Sequence, residues 1–213
     1  MLIASYNLAQ TGDVLMVVLR QDTTQQVYEK KNNIVRIYDE KSGKTLGYNF
    51  FAASTYLPQL NAAGQVNLTA EQVELLNQQL LANGMPAELV VDDQPHFVVG
   101  YVETMEEHPD SDHLHVLSVL VDGDEHLQIV CGAPNIAAGQ KVVIAKVGAM
   151  MPSGAIIWPG KLRGIDSFGM VCSARELALP NAPQKRGILE LPAADYQVGE
   201  AFDFLQAASL FSA

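Results

Sequence analysis

Four of the five histidines, His108, His113, His115 and His126, fall within twenty residues of one another, beside Asp110 and Asp112. Residues two apart on a strand share a face, so His113 and His115 could hold a metal ion between them. A zinc site needs further ligands converging on the same point, and no other part of the chain offers a matching cluster. Glu103, Glu106, Glu107, Asp110 and Asp112 form a run of carboxylates in the same region. Catalytic carboxylate pairs need a pocket that drives their pKa values apart, and a charge run of this kind reads as a solvated loop. Ser167 and Ser173 lack a histidine at motif spacing to act as base. These residues point away from catalysis, and neither cofactor nor metal is expected.

The cationic side chains suggest a different chemistry. Lys141, Lys146, Lys161, Arg163 and Arg175 lie between Ile129 and Glu176, together with Asn135, Ser167, Met170 and Ser173. Lysine and arginine hold phosphates, while amide and hydroxyl groups contact sugars and base edges. An RNA-binding site drawn from these residues is the expectation. The competing reading gives Gly164, Gly169 and Met170 to turns and packing alone. Trp158, the single tryptophan, reads either as a stacking platform for an unpaired base or as a side chain packed over a core.

The stretch carrying these residues places short β-rich runs, Val142–Ile144 and Ala155–Ile157, among closely spaced glycines and prolines. Turn signals at this density suggest a small closed β-barrel. Phe97 to Val102 and Leu127 to Val130 read as further strands, and Leu114 to Val121 is apolar enough for a strand covered on both sides. Ile188 to Phe204 is expected to supply a last strand and a closing turn.

Nearer the N-terminus, Leu2–Tyr6 and Val14–Leu19 flank Thr11-Gly12-Asp13, and Ile34–Tyr38 and Thr45–Phe50 flank a turn at Ser42-Gly43, which predicts two hairpins. Thr69-Ala70-Glu71-Gln72 fits a capping box, followed by Val73, Leu76 and Leu80 on one helical face and ended by Gly84. Together these predict a small α+β domain over residues 1–92. Its basic patch, Lys30, Lys31, Arg36, Lys41 and Lys44, reads as the solvated face of a hairpin. Two prolines and Asp92-Asp93 mark the boundary between Met85 and Pro95. An all-β domain is expected over 93–205 and a tail over 206–213.

A chain of 213 residues with 48% hydrophobic and 17% charged residues has the composition of an ordinary globular protein. Its longest apolar run, Val14 to Leu19, is far too short to span a bilayer. No basic segment leads into a cleavable apolar one, so a cytoplasmic protein with reduced, buried Cys131 and Cys172 is expected. The net charge of −11 opposes binding to nucleic acid unless the positive groups gather on one face.

Three motifs, HPDSDHL at 108–114, IVCGAPN at 129–135 and KLRGIDSFGMVCS at 161–173, resemble the tRNA-binding OB-fold domain. That domain occurs near the N-terminus of the phenylalanyl-tRNA synthetase β chain and in free-standing tRNA-binding proteins. With residues 1–92 ahead of the barrel, the arrangement is most similar to the free-standing YtpR-type proteins of bacteria. The resemblance implies an OB-fold barrel that holds tRNA weakly and in a salt-sensitive way, without catalysis. Lys161, Arg163, Ser167, Met170 and Ser173 match positions of the family's most distinctive motif, while His113 stands where related sequences usually have lysine. The length and the missing ATP-binding motifs exclude a synthetase. The alternative for so acidic a chain is a protein-docking or homodimerisation module that binds no RNA.

Overall fold

The computed structural model describes residues 1–211. The chain forms two compact units, Met1–Asp93 and a second beginning at Gln94.

The first unit is a six-stranded antiparallel sheet with one long helix. Its strands are β1 (Ile3–Asn7), β2 (Val14–Val18), β3 (Gln26–Lys31), β4 (Ile34–Asp39), β5 (Thr45–Phe51) and β6 (Ala63–Val66), in the order β3-β4-β5-β2-β1-β6. A single helical turn, α1 (Leu8–Thr11), lies inside the first predicted hairpin, and the second hairpin is β4–β5. The long helix α2 (Ala70–Ala82) starts at the capping box: the Thr69 side chain accepts from the Gln72 N–H, and Gln72 accepts from the Thr69 N–H. Val73, Leu76 and Leu80 are its buried residues, and they pack with Tyr6, Leu15 and Phe50 of the sheet. Apolar burial on one helical face supplies most of the stability of such a helix.

The second unit is a nearly closed antiparallel barrel of the OB type. Its main sheet contains β7 (Phe97–Glu107), β8 (His115–Asp122), β9 (Glu125–Cys131), β10 (Lys141–Lys146) and, after the small hairpin β11 (Gly160–Leu162) and β12 (Ile165–Ser167), β13 (Gly169–Val171). The order is β13-β10-β7-β8-β9. Between β9 and the β12–β13 connection, the Phe168 N–H donates to the Gln128 carbonyl at 2.9 Å and the Val130 N–H to Ser167 Oγ at 3.1 Å.

The first part of β7, up to Val102, and β10 are covered on both faces. Val98, Val102, Val142 and Ile144 face the barrel interior, while Val99, Val143 and Ala145 join a second core with Leu177, Leu189, Tyr196, Phe202 and Ala207. The sequence places this double cover on β8 instead. There, burial alternates from Val116 to Val121, because the outer face of β8 has no equivalent layer. Two other expectations are corrected. Ala155–Ile157 adds no ladder strand, only an isolated bridge between Ile156 and Met150. Ile188–Phe204 is an irregular strap touching the sheet through the bridges Val142–Glu190 and Val98–Ala201, its apolar residues forming the outer core. It leads into α3 (Phe204–Ala207), after which Leu210 and Phe211 pack on the same core. Residues 212–213 of the expected tail lie outside the described residues. Among the described residues no helix is long and apolar enough to cross a membrane.

Candidate nucleic-acid interface

Two of the three motifs are bolted together at His108. The residue is only 4% exposed. Its Nδ1 accepts from the Asp110 N–H at 3.1 Å, which leaves the proton on Nε2 to donate to the Leu162 carbonyl at 3.1 Å. Arg163 Nη1 donates to the Asp110 carbonyl at 2.8 Å across the same junction. Arg163 and Gly164 both have positive φ, 44° and 86°, as a two-residue turn joining β11 to β12 requires. His108 is thus a structural histidine, and among the described residues no three potential metal ligands come together. His126 is an exposed ion-pair partner. Its Nδ1–H faces the Asp124 carbonyl and its Nε2–H faces Glu103, and these contacts, the backbone one foremost, raise its pKa.

The polar residues expected to touch RNA are engaged within the fold. Ser167 is buried, accepts from Val130 and donates to the Gly169 carbonyl. Ser173 donates to Glu176 Oε2 at 2.6 Å and accepts from the Glu176 N–H. Asn135 grips the backbone of Ile188 with its whole amide, Nδ2–H to the carbonyl and Oδ1 to the N–H.

The five expected cations are spread over the unit. Lys141 Nζ donates to the carbonyls of Ala193 and Tyr196, anchoring the C-terminal strap. Lys146 pairs with Glu125 at 3.0 Å and Lys161 with Asp166 at 2.6 Å. Arg163 is tied to the 108–114 loop. Arg175 is exposed and, among the described residues, its side chain has neither a hydrogen bond nor an ion pair.

Arg175 lies on a groove that the sequence reading did not anticipate. A cavity of about 240 Å³ runs between the Val130–Pro134 segment, Met170 and the Arg186–Ile188 loop. On one side it shares Arg186 and Gly132 with a cavity of about 340 Å³ that reaches His113 and His115. On the other it shares Met170 and Arg175 with one of about 490 Å³. Lys185 and Arg186 line a neighbouring space of about 300 Å³ and, like Arg175, are exposed without polar partners among the described residues. The sequence signal was the Lys185-Arg186 pair before Gly187, which lies beyond the three motifs. Its place depends on Asn135, because a Cβ on Gly187 would come within 2.6 Å of Asn135 Oδ1. The IVCGAPN motif therefore seats the loop that carries Arg186. Burial pushes the Cys172 thiol up to about 12 and also raises Cys131, so neither free thiol is poised for chemistry.

Residues 97–201 match the family described as a putative tRNA binding domain, and residues 21–92 match a domain of unknown function, DUF4479. The putative tRNA-binding protein YtpR of Bacillus subtilis (strain 168) is 50% identical over 202 residues, which cover 94% of this chain and 99% of the relative. The chain belongs to the YtpR family of putative tRNA-binding proteins. The phenylalanine–tRNA ligase β subunit of Oceanobacillus iheyensis is 50% identical over 117 residues, 54% of this chain but 14% of that subunit. What is shared with the ligase is thus a small part of it, centred on the barrel of the YtpR family. Among solved structures, the C-terminal domain of Plasmodium vivax p43 is similar with 26% identity and a TM-score of 0.36, covering 52% of this chain and 61% of that one.

Proposed function

We propose that the protein is a non-catalytic, cytoplasmic tRNA-binding protein whose barrel holds RNA by its backbone and shape along the groove beneath Arg175 and Arg186. The observation that carries this reading is the presence of three cations without polar partners, Arg175, Lys185 and Arg186, around one groove. Phosphate binding favours such groups, because a cation already paired with a carboxylate must give up that partner. Lys141, Lys146 and Lys161 then serve mainly as braces, and Asn135, Ser167 and Ser173 position the walls. With so few available cations on a chain of net charge −11, affinity is modest and falls with salt.

Filter binding of mixed tRNA at low salt tests the reading. Retention of the wild-type protein, and its loss in an Arg175→Ala/Arg186→Ala variant that remains folded, is the expected result. No retention of the wild type, or a stoichiometric protein partner or second copy held without RNA, would favour docking instead.

A further inference from the structure

We infer that the cavity beside Arg175 receives the base of an unpaired RNA nucleotide whose phosphate is held by Arg175 and Arg186; this rests on the RNA-binding reading above. The groove changes chemistry along its length. At Arg186 it is bordered by polar backbone and cationic side chains, whereas past Arg175 it opens into a space of about 490 Å³ whose walls include Met151, Pro152, Ala155, Ile157, Met170 and Ala178. Apart from Arg175, which it shares with the first compartment, this lining offers no cation to hold a second phosphate. It fits a flat, weakly polar group, and thioether side chains such as Met151 and Met170 make favourable contacts with π-systems.

Glu176 sharpens the distinction. It lines both compartments, and its Oε2 is fixed by the Ser173 N–H and hydroxyl at 2.8 and 2.6 Å. In the first compartment Arg175 and Arg186 together outweigh this carboxylate for a phosphate, whereas in the larger one it faces Arg175 alone; an uncharged base is repelled in neither. In an A-form duplex the bases are stacked inside and cannot enter a recess, so only a loop, bulge or end can place one there. The apolar space therefore selects RNA with an unpaired nucleotide, and the arginines hold it by charge.

The test compares a blunt RNA duplex with the same duplex carrying one unpaired adenosine, titrated against the full chain at fixed salt. Stacking of one base corresponds to about tenfold tighter binding, which is the expected preference for the bulged RNA. Ala155→Trp fills the space from an exposed position and should abolish the preference while leaving the blunt duplex unaffected. Met170→Ala, which strips one wall, should reduce it and serves if the tryptophan variant does not fold. Equal binding of the two RNAs by the wild type would overturn the inference and leave backbone binding intact. Binding of neither would overturn the RNA reading itself.

Discussion

Asn135 and Ile188, 53 residues apart, are joined by a reciprocal pair of hydrogen bonds. The Asn135 Nδ2–H donates to the Ile188 carbonyl at 3.1 Å, and the Ile188 N–H donates to Asn135 Oδ1 at 2.8 Å. One side chain thereby satisfies the backbone of the residue two after Arg186. Replacing it with alanine leaves both partly buried groups without their partner, at a cost of about 1–3 kcal/mol. Asn135→Ala should lower the urea midpoint accordingly and should weaken tRNA retention as much as Arg186→Ala does. Unchanged retention in a folded Asn135→Ala protein would show that the clamp does not place the arginine.

Gly100, on the inner face of β7, sits where any side chain would collide. A Cβ there would lie 2.6 Å from Ile144 Cγ1 and 2.8 Å from Val119 Cγ1, both in fully buried side chains. Overpacking of this kind costs about 1–3 kcal/mol, so Gly100→Ala should lower the melting temperature of the barrel. A melting curve superimposable on the wild type would mean that the two side chains turn aside freely.

The contact between His126 and Glu103 carries a pH dependence. The folded pKa of His126 is raised, first by the Asp124 carbonyl and then by Glu103. Its contribution to stability is therefore fully present below the unfolded value of about 6.5 and is lost as pH rises through the folded value. The destabilisation caused by Glu103→Gln should be larger on the acid side of that window than at about pH 8.5, and should shrink with added salt because the pair is exposed. Urea titrations of both chains across the window check this, and a difference that stays constant with pH would contradict it.

Much of the fold is legible in short-range pattern. The Thr69–Gln72 capping box and the Val73, Leu76, Leu80 spacing appear in the structure as α2, and both predicted hairpins form, because each depends on residues close in sequence. Strands β3 and β6 escaped notice for a physical reason. Both are edge strands, β3 reads Gln-Val-Tyr-Glu-Lys-Lys and β6 only Ala-Gly-Gln-Val, so neither shows a sustained apolar alternation. The groove was harder still. Positive charge at Lys141, Lys146 and Lys161 is visible in the sequence, but the carbonyls and carboxylates that engage it are contributed by residues such as Tyr196 and Glu125, 55 and 21 positions away. Arg186 lies outside the motifs, and its loop is held at Ile188 by a side chain 53 residues before that residue.

The salt dependence of tRNA binding tests the role of the groove most directly. Each phosphate neutralised contributes roughly 0.7 to 0.9 to the slope of log K against log salt. The wild-type slope should correspond to about two or three contacts, and Arg175→Ala and Arg186→Ala should each reduce it by about one. Lys161→Ala, which removes a cation already paired with Asp166, should leave it nearly unchanged. A slope unaffected by either arginine but reduced by loss of Lys161 would place the RNA on another face of the barrel.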